Sequence, residues 1–276
     1  ESGKYDPDKI AMVITQSGGG CRDSNYINLM RKSMERAGYP QIPFISANIW
    51  GMELNSGIDI SIRGYRMLLS ALMYGDMMMI AANQVRPYEV NKGDADRMMQ
   101  KWTAYFGERY TKGKGYSHKE IKKNIRTMLQ EFADIEVKKV PKVKVAVVGE
   151  LYLKYSEPAN NGLEQFLRDQ DCETYFPSVL GFGIYKTNGA LEDLRLYGGK
   201  PMKRLILEIA MKYMFHMENM MISIMEEFDC FVAPERVEVL KKRAEGIINT
   251  GNSMGEGWYI AAEMMLQKLN GLDIPS

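Results

Sequence analysis

A glycine-rich segment that ends in a cysteine contains the residue types best suited to chemistry. Gly18, Gly19 and Gly20 directly precede Cys21 and follow an apolar run at 10–14. Glycines adopt positive φ angles and let a ligand come close to the main chain. A thiol at the start of a following helix lies where anions and thiolates are favoured. The segment is therefore a candidate for meeting a metal, a phosphate or an electrophile, although a small buried residue in a turn explains Cys21 equally well.

A second group of polar side chains follows the apolar segment at 143–148. It contains Glu150, Lys154, Asn160 and Asn161. Ligands of open parallel sheets bind at the carboxyl ends of the strands. Glu150 could therefore orient a ligand or hold a basic partner, and Lys154 could meet a phosphate. Each asparagine is more readily explained as a helix cap.

A third candidate is the turn formed by Gly255, Glu256 and Gly257, directly before a predicted helix. A glycine-rich turn that opens a helix can bind an anion through its backbone N–H groups. A carboxylate in the first turn also suits the helix dipole without any ligand. A binding site and a purely structural turn both stay open here.

Other forms of cysteine chemistry lack partners in the sequence. The two histidines, His118 and His216, fall at a predicted helix start and in a Met-rich helix, which disfavours a Cys–His catalytic pair. No C-x-x-C or H-x-x-x-H spacing typical of zinc sites occurs. Cys172 and Cys230 lie in strand-like and apolar segments typical of buried thiols. An iron–sulfur cluster at Cys21 would need further thiolates from elsewhere.

Composition and charge disfavour several classes of function. The 276 residues are 45% hydrophobic and 26% charged, a balance typical of globular proteins. A formal net charge of +1 makes no electrostatic case for nucleic acid or an acidic membrane. No apolar run is long enough to span a membrane, and the first residues lack signal-peptide features. Three widely spaced cysteines favour a reducing compartment, so we expect a cytoplasmic protein with no nucleic-acid or membrane partner.

The hydrophobic pattern predicts the elements that position these residues. Two β-α-β segments are expected, at 10–46 and 143–176, each with a connection that suits a parallel strand pair. Long helical patterns cover residues 60–85, 94–110, 117–135, 201–228, 234–247 and 256–270. We therefore expect an α/β fold with two Rossmann-like lobes, parallel sheets and extra helices. The first lobe, with a helical insertion, would cover 1–137. The second, with C-terminal helices, would cover 143–276, after a basic linker at 138–142.

Four separated motifs resemble those of the 2-hydroxyacyl-CoA dehydratase activase-related proteins. This family is related to 2-hydroxyglutaryl-CoA dehydratase and benzoyl-CoA reductase. The motifs are TQSGGGCRDSNY at 15–26, RPYEVNKG at 86–93, VGELYLKY at 148–155 with Asn160 and Asn161, and GEGW at 255–258 with AAE at 261–263. They occur in order over nearly the whole chain, which makes the resemblance specific.

The resemblance implies a dehydratase-like part whose Rossmann-like domains face one another around a cysteine-held 4Fe-4S cluster. Cys21 would be one of its ligands, and the amides of Gly18, Gly19 and Gly20 would donate to the cluster or the substrate. The segment 150–161 and the turn at 255–258 would line the cleft between the lobes. An ATP-hydrolysing activase part or subunit would transfer single electrons to the cluster. That transfer would allow reductive chemistry on an acyl-CoA or similar substrate in anaerobic metabolism.

The chain also departs from the family pattern. It contains no activase ATP motif and lacks the upstream cysteine motifs of the dehydratase-like part. We therefore expect a fragment whose cluster is absent or incomplete and which is inactive alone. A non-catalytic module that docks an activase or dehydratase partner is one alternative. A cofactor-free enzyme that binds a nucleotide or CoA-like ligand through the glycine-loop amides is another.

Overall fold

The computed structural model describes residues 3–16, 22–47, 61–251 and 256–269. The chain divides into two compact units, Glu1–Arg63 and Gly64–Ser276. The predicted linker at 138–142 lies inside the second unit.

The expected α/β fold with two Rossmann-like lobes is wrong. Helices make up 64% of the described residues and strands 6%. The described strands form two sheets of two strands each. A Rossmann-like lobe needs a broad parallel sheet covered by helices on both faces, and strands of three or four residues do not provide one. None of the described helices is long and apolar enough to cross a lipid bilayer.

The first unit contains one parallel strand pair. The strand β1 (Met12–Thr15) is followed by the helix α1 (Asp23–Arg36) and the strand β2 (Phe44–Ala47). β1 and β2 pair in parallel, so the β-α-β prediction at 10–46 is confirmed at the level of these elements.

Three long helices follow, α2 (Ile62–Val85), α3 (Asp94–Thr111) and α4 (His118–Ala133). Ser117 and Glu120 form a capping box at the start of α4, as the sequence predicts. Glu120 accepts hydrogen bonds from the Ser117 hydroxyl and from the N–H of Gly115. These bonds to its charged form hold the pKa of Glu120 down at about 2.

The second strand pair is joined by three short helices. The elements are β3 (Lys144–Ala146), α5 (Leu151–Tyr155), α6 (Glu157–Asn160), α7 (Leu163–Asp169) and β4 (Glu173–Tyr175). β3 and β4 pair in parallel, which confirms the second β-α-β segment. A small apolar core lies beneath them, formed by Val147, Leu167 and Phe176.

The remaining helices complete the main core. They are α8 (Val179–Tyr197), α9 (Pro201–Met225), α10 (Val237–Ala244) and α11 (Gly257–Leu269). α8 packs along α9, α10 packs against α11, and α4 packs against α9. Methionines from several helices are fully buried in this core, among them Met73, Met77, Met128 and Met217. Their flexible side chains fill the irregular space between helices.

Candidate functional site

Part of the predicted site cannot be placed. Gly18, Gly19, Gly20, Cys21 and Gly255 lie outside the described residues. The role of Cys21 as a cluster ligand therefore stays a prediction, as does the role of the glycine amides.

A buried charge cluster joins the other two predicted segments. The Nζ atom of Lys154 in α5 lies 3.9 Å from an Oε2 atom of Glu256 and 3.7 Å from Oε2 of Glu263 in α11. The three side chains are only 2–3% exposed. A charge is tolerated in a protein interior only when opposite charge compensates it. The buried charges of Lys154, Glu256 and Glu263 therefore compensate one another. We call these three residues the Lys–Glu–Glu cluster.

The backbone at Glu256 is shaped to bring its carboxylate into the cluster. Glu256 has a φ of 69°, in the left-handed region that residues other than glycine seldom adopt. Its Oε1 atom accepts a hydrogen bond of 2.6 Å from the N–H of Leu151, the first residue of α5. The start of α5 is thus tied to the turn before α11. Strain of this kind persists only where surrounding contacts hold it.

Burial changes the ionisation of both carboxyl groups. Removal from water raises the pKa of Glu263 to about 7, against the opposing effect of the Lys154 ammonium. Burial also raises the pKa of Glu256, while the Leu151 N–H and Lys154 oppose the rise. With all three groups charged the cluster carries one negative charge in excess. A proton on Glu263 neutralises it, so the cluster can take up or release a proton near neutral pH.

Several carboxylate oxygens of the cluster are unsatisfied among the described residues. Oε2 of Glu256 and both carboxylate oxygens of Glu263 have no hydrogen-bond partner among the residues that the structure describes. The Lys154 ammonium lies beyond direct hydrogen-bond distance from them. Buried oxygens of this kind are ordinarily satisfied by water, and they are also where a small donor or a transferred proton would be held.

Aromatic side chains enclose the cluster. The Lys154 ammonium lies 5.8 Å from the ring centroid of Tyr155 and 6.0 Å from that of Tyr259, within the range of cation–π attraction. Burial raises the pKa of both phenols far above the usual value. Tyr155 donates its hydroxyl proton to the carbonyl of Pro177. The two rings favour the positive charge on Lys154.

Glu150 and Gly257 have structural positions next to the cluster. Glu150 caps α5, since its side chain accepts a hydrogen bond of 3.2 Å from the N–H of Leu153. Its charge adds to the pKa rise of Glu256. Gly257 is the first residue of α11. Both help to position the Lys–Glu–Glu cluster rather than belong to it.

The two asparagines serve as helix ends. Oδ1 of Asn160 accepts a hydrogen bond of 3.1 Å from the N–H of Leu163, and its Nδ2 donates to the carbonyls of Leu153 and Lys154. Asn161 ends α6 with a φ of 56°. The capping explanation for these residues therefore fits the structure.

Glu256 was a candidate from the sequence, but no role was assigned to the rest of the polar stripe on α11. Glu256, Tyr259, Glu263 and Gln267 are spaced by three or four residues, which places them on one face of the helix. All four are almost fully buried. Polar residues at helical spacing in an apolar segment were the signal that could have revealed this face.

Side chains of the motif at 86–93 form hydrogen bonds that join the end of α2 to the start of α3. Arg86 is 9% exposed and donates to Oδ1 of Asp96 and Oδ1 of Asn83. The carboxylate of Glu89 accepts from the N–H groups of Gly93 and Ala95 at the start of α3. These contacts give the motif a structural function, because they satisfy N–H groups that a helix start leaves unpaired.

The described cysteines and histidines do not form a metal centre. No group of three or more His, Cys, Asp or Glu side chains that could hold a metal occurs in the described part of the chain. Cys172 is half-buried and Cys230 is exposed, so the expectation of a buried thiol is wrong for Cys230. His118 and His216 lie close together, with ring centroids 5.3 Å apart.

No protein-family model, curated protein or solved structure matches the chain. What the chain does must therefore be argued from its motifs and from the geometry of the Lys–Glu–Glu cluster.

Proposed function

We propose that the chain is part of an iron–sulfur redox protein resembling the 2-hydroxyacyl-CoA dehydratases. It would take part in ATP-driven electron transfer to an acyl-CoA or similar substrate. One observation carries the proposal. The motif segments 148–155 and 255–263 are about 100 residues apart, yet they meet through Lys154, Glu256 and Glu263. Segments that meet in one buried site act as a unit, and this supports treating the motifs as one functional pattern.

The described residues do not by themselves fit a 4Fe-4S cluster. Such a cluster is held by several thiolates, whereas this part of the chain offers Cys172 and Cys230 and no group of three metal-binding side chains. The sequence has three cysteines, Cys21, Cys172 and Cys230, so the further thiolates that join Cys21 would come from outside this sequence. For the Lys–Glu–Glu cluster we propose only a structural role and the holding of a proton. The cluster ties α5 to α11 and holds a proton on Glu263.

Anaerobic reconstitution with iron and sulfide tests the proposal. The protein that contains this chain is compared with its Cys21→Ala and Cys230→Ala variants, and bound iron is measured per protein. We expect less iron in the Cys21→Ala variant and an unchanged amount in the Cys230→Ala variant, since Cys230 is exposed and has no predicted role. Equal iron in all three proteins would remove Cys21 from the ligand set and defeat the proposal.

A second function is favoured by an exposed apolar stripe on α9. Met202, Leu205, Ile206 and Ile209 are 51–66% exposed. Their spacing places them on one face of the helix, and contiguous exposed apolar surface marks interaction sites. The chain would then be a non-catalytic module that docks the activase part or a dehydratase partner through this stripe.

Binding of the activase part distinguishes the two functions. Ile206→Glu places a charge on the stripe without touching the core, and Lys203→Glu, on the same exposed turn, is the matched control. Loss of binding in Ile206→Glu alone, together with iron that does not depend on Cys21, favours the docking module. Equal binding by both variants rules out docking through the stripe.

A further inference from the structure

A groove of about 580 Å³ opens beside β4 in the second unit. Its walls come from α2, β4, the irregular segment 232–236 and α11. Its lining includes Asn83, Thr174 and Tyr175, and the apolar part includes Phe176 and Leu266. The volume falls in the range of roughly 300–1,000 Å³ that is typical of ligand sites.

One wall of the groove is the edge of β4 that has no strand partner in the described part of the chain. On the β3 side of β4, Glu173 donates its N–H to Val143 and Tyr175 accepts from Val147, both at 2.9 Å. Backbone N–H and C=O groups of alternate residues point to opposite edges of a strand, so those of Thr174 point away from β3. Among the described strands β4 has β3 as its sole neighbour. Thr174 is 4% exposed and lines the groove.

A second wall carries an unpartnered amide. Asn83 is 3% exposed. Its Oδ1 atom accepts a hydrogen bond of 2.7 Å from Arg86, which fixes the orientation of the amide. Its Nδ2 atom has no hydrogen-bond partner within the described ranges. A buried donor left unpaired is unfavourable, so this wall is suited to a ligand that brings an acceptor such as a carbonyl.

The charged groups at the rim do not favour an anion. Lys144 is paired with Glu173 at 3.0 Å and Arg236 with Glu226 at 3.1 Å. Glu235 also lines the groove and is paired with Arg243 at 3.6 Å, so each charged group at the rim already has a partner of opposite charge. Because cations and carboxylates alike are compensated, charge complementarity favours a neutral ligand.

We infer that this groove binds an extended segment of a partner polypeptide, which adds as a strand to the outer edge of β4. The segment would exchange backbone hydrogen bonds with Thr174 and present a carbonyl to Nδ2 of Asn83. Main-chain bonds give affinity in this mode of recognition, and pockets for alternate side chains give specificity. The segment would be uncharged and largely apolar. None of the three residues of the Lys–Glu–Glu cluster lines this groove, and the inference does not depend on the proposed redox function.

A display library of random heptapeptides is the probe that tests this inference. Peptides enriched on the 276-residue chain are synthesised and their affinity is measured by calorimetry. Asn83→Asp keeps the oxygen that accepts from Arg86 and replaces the free donor by an acceptor. Asn188→Asp is the matched control, since its Oδ1 accepts from Lys241 and its Nδ2 is likewise unpartnered in the described structure, but it lies outside the groove.

We expect Asn83→Asp to weaken peptide binding about tenfold, the loss of one hydrogen bond, and Asn188→Asp to leave it unchanged. Amide exchange provides a readout on the unaltered chain. Bound peptide should slow exchange at Thr174, whereas Glu173 and Tyr175 are already bonded to β3. Failure to enrich any peptide, equal binding by the Asn83→Asp variant, or unchanged exchange at Thr174 would overturn the inference.

Discussion

Glu263 is the residue whose ionisation reports most directly on the buried charge cluster. Its carboxylate lies 3.7 Å from the Lys154 ammonium, and its two oxygens lack hydrogen-bond partners in the described structure. Burial raises its pKa from 4.5 to about 7. Between these values the folded chain keeps a proton on Glu263 that the unfolded chain has released. The stability from this group is therefore present at low pH and lost as the pH rises through 7.

Replacement of Glu263 by glutamine should remove this pH dependence. Lys154 and Glu256 then remain as a neutral pair, so Glu263→Gln should raise the free energy of unfolding above pH 7 by up to about 3 kcal/mol. Urea unfolding of both proteins from pH 5 to pH 8.5 measures the difference. Glu227→Gln is the control, because Arg126 lowers the pKa of that exposed carboxyl. A Glu263→Gln curve parallel to the unaltered one would contradict a raised pKa.

Two glycines of the helix α8, Gly181 and Gly183, have different surroundings. A side chain at Gly181 would overlap the hydroxyl of Tyr259, which is buried on α11, while nothing lies within 4 Å of the Cβ position of Gly183. Gly181 therefore leaves the space that the Tyr259 hydroxyl occupies against α8. Gly183 has no such role and only lowers the helix propensity.

Alanine substitutions at these two glycines should have opposite effects. Gly181→Ala should lower the free energy of unfolding by about 1–3 kcal/mol through overpacking. Gly183→Ala should raise it by about 0.5–1 kcal/mol, because alanine favours the helix. Thermal denaturation of the two variants checks the pair. Destabilisation of similar size at both positions would mean that the Tyr259 hydroxyl does not pack against α8 at Gly181.

Elements with strong local signals could be predicted from the sequence. The capping box at Ser117 fixed the start of α4, and the parallel pairs at 10–46 and 143–176 were expected. The 19-residue helix α8 was missed, because its first turns read Val179-Leu180-Gly181-Phe182-Gly183 and glycine weakens a helical pattern. Tertiary packing against α9 overrides that weak propensity.

At the scale of the whole molecule, local patterns did not determine how many strands would assemble. The apolar runs at 10–14 and 143–148 do form strands, but each finds one described partner. The long Met-rich helices instead pack on one another and bury most of the apolar surface. Likewise, Lys154 and Glu256 could be identified as candidates from the sequence. Their contact with Glu263 could not, because it depends on how the fold brings α5 and α11 together, and spacing along the chain does not determine that.

Three buried carboxyl groups should make the stability of the whole chain fall from pH 5 to pH 8. Burial raises the pKa of Asp76, Glu218 and Glu263 each to about 7. Each group holds a proton in the folded chain over a range where the unfolded chain has lost it, so deprotonation lowers the free energy of unfolding. Denaturant midpoints across this range measure the trend. A midpoint that rises steadily with pH would show that other groups dominate.

The central claim, that two distant motifs meet in one buried site, is tested most directly by a double-mutant cycle. Lys154→Met should destabilise the chain by about 3–5 kcal/mol, because it leaves the buried Glu256 carboxylate and the adjoining Glu263 carboxyl group without a cation. Glu256→Gln keeps an oxygen for the Leu151 N–H, and in the double variant it should recover at least about 1 kcal/mol of that loss. Lys144→Met, at a half-exposed side chain, is the additive control. The account would be contradicted if the change in the free energy of unfolding of the double variant equalled the sum of the changes for Lys154→Met and Glu256→Gln within about 0.5 kcal/mol.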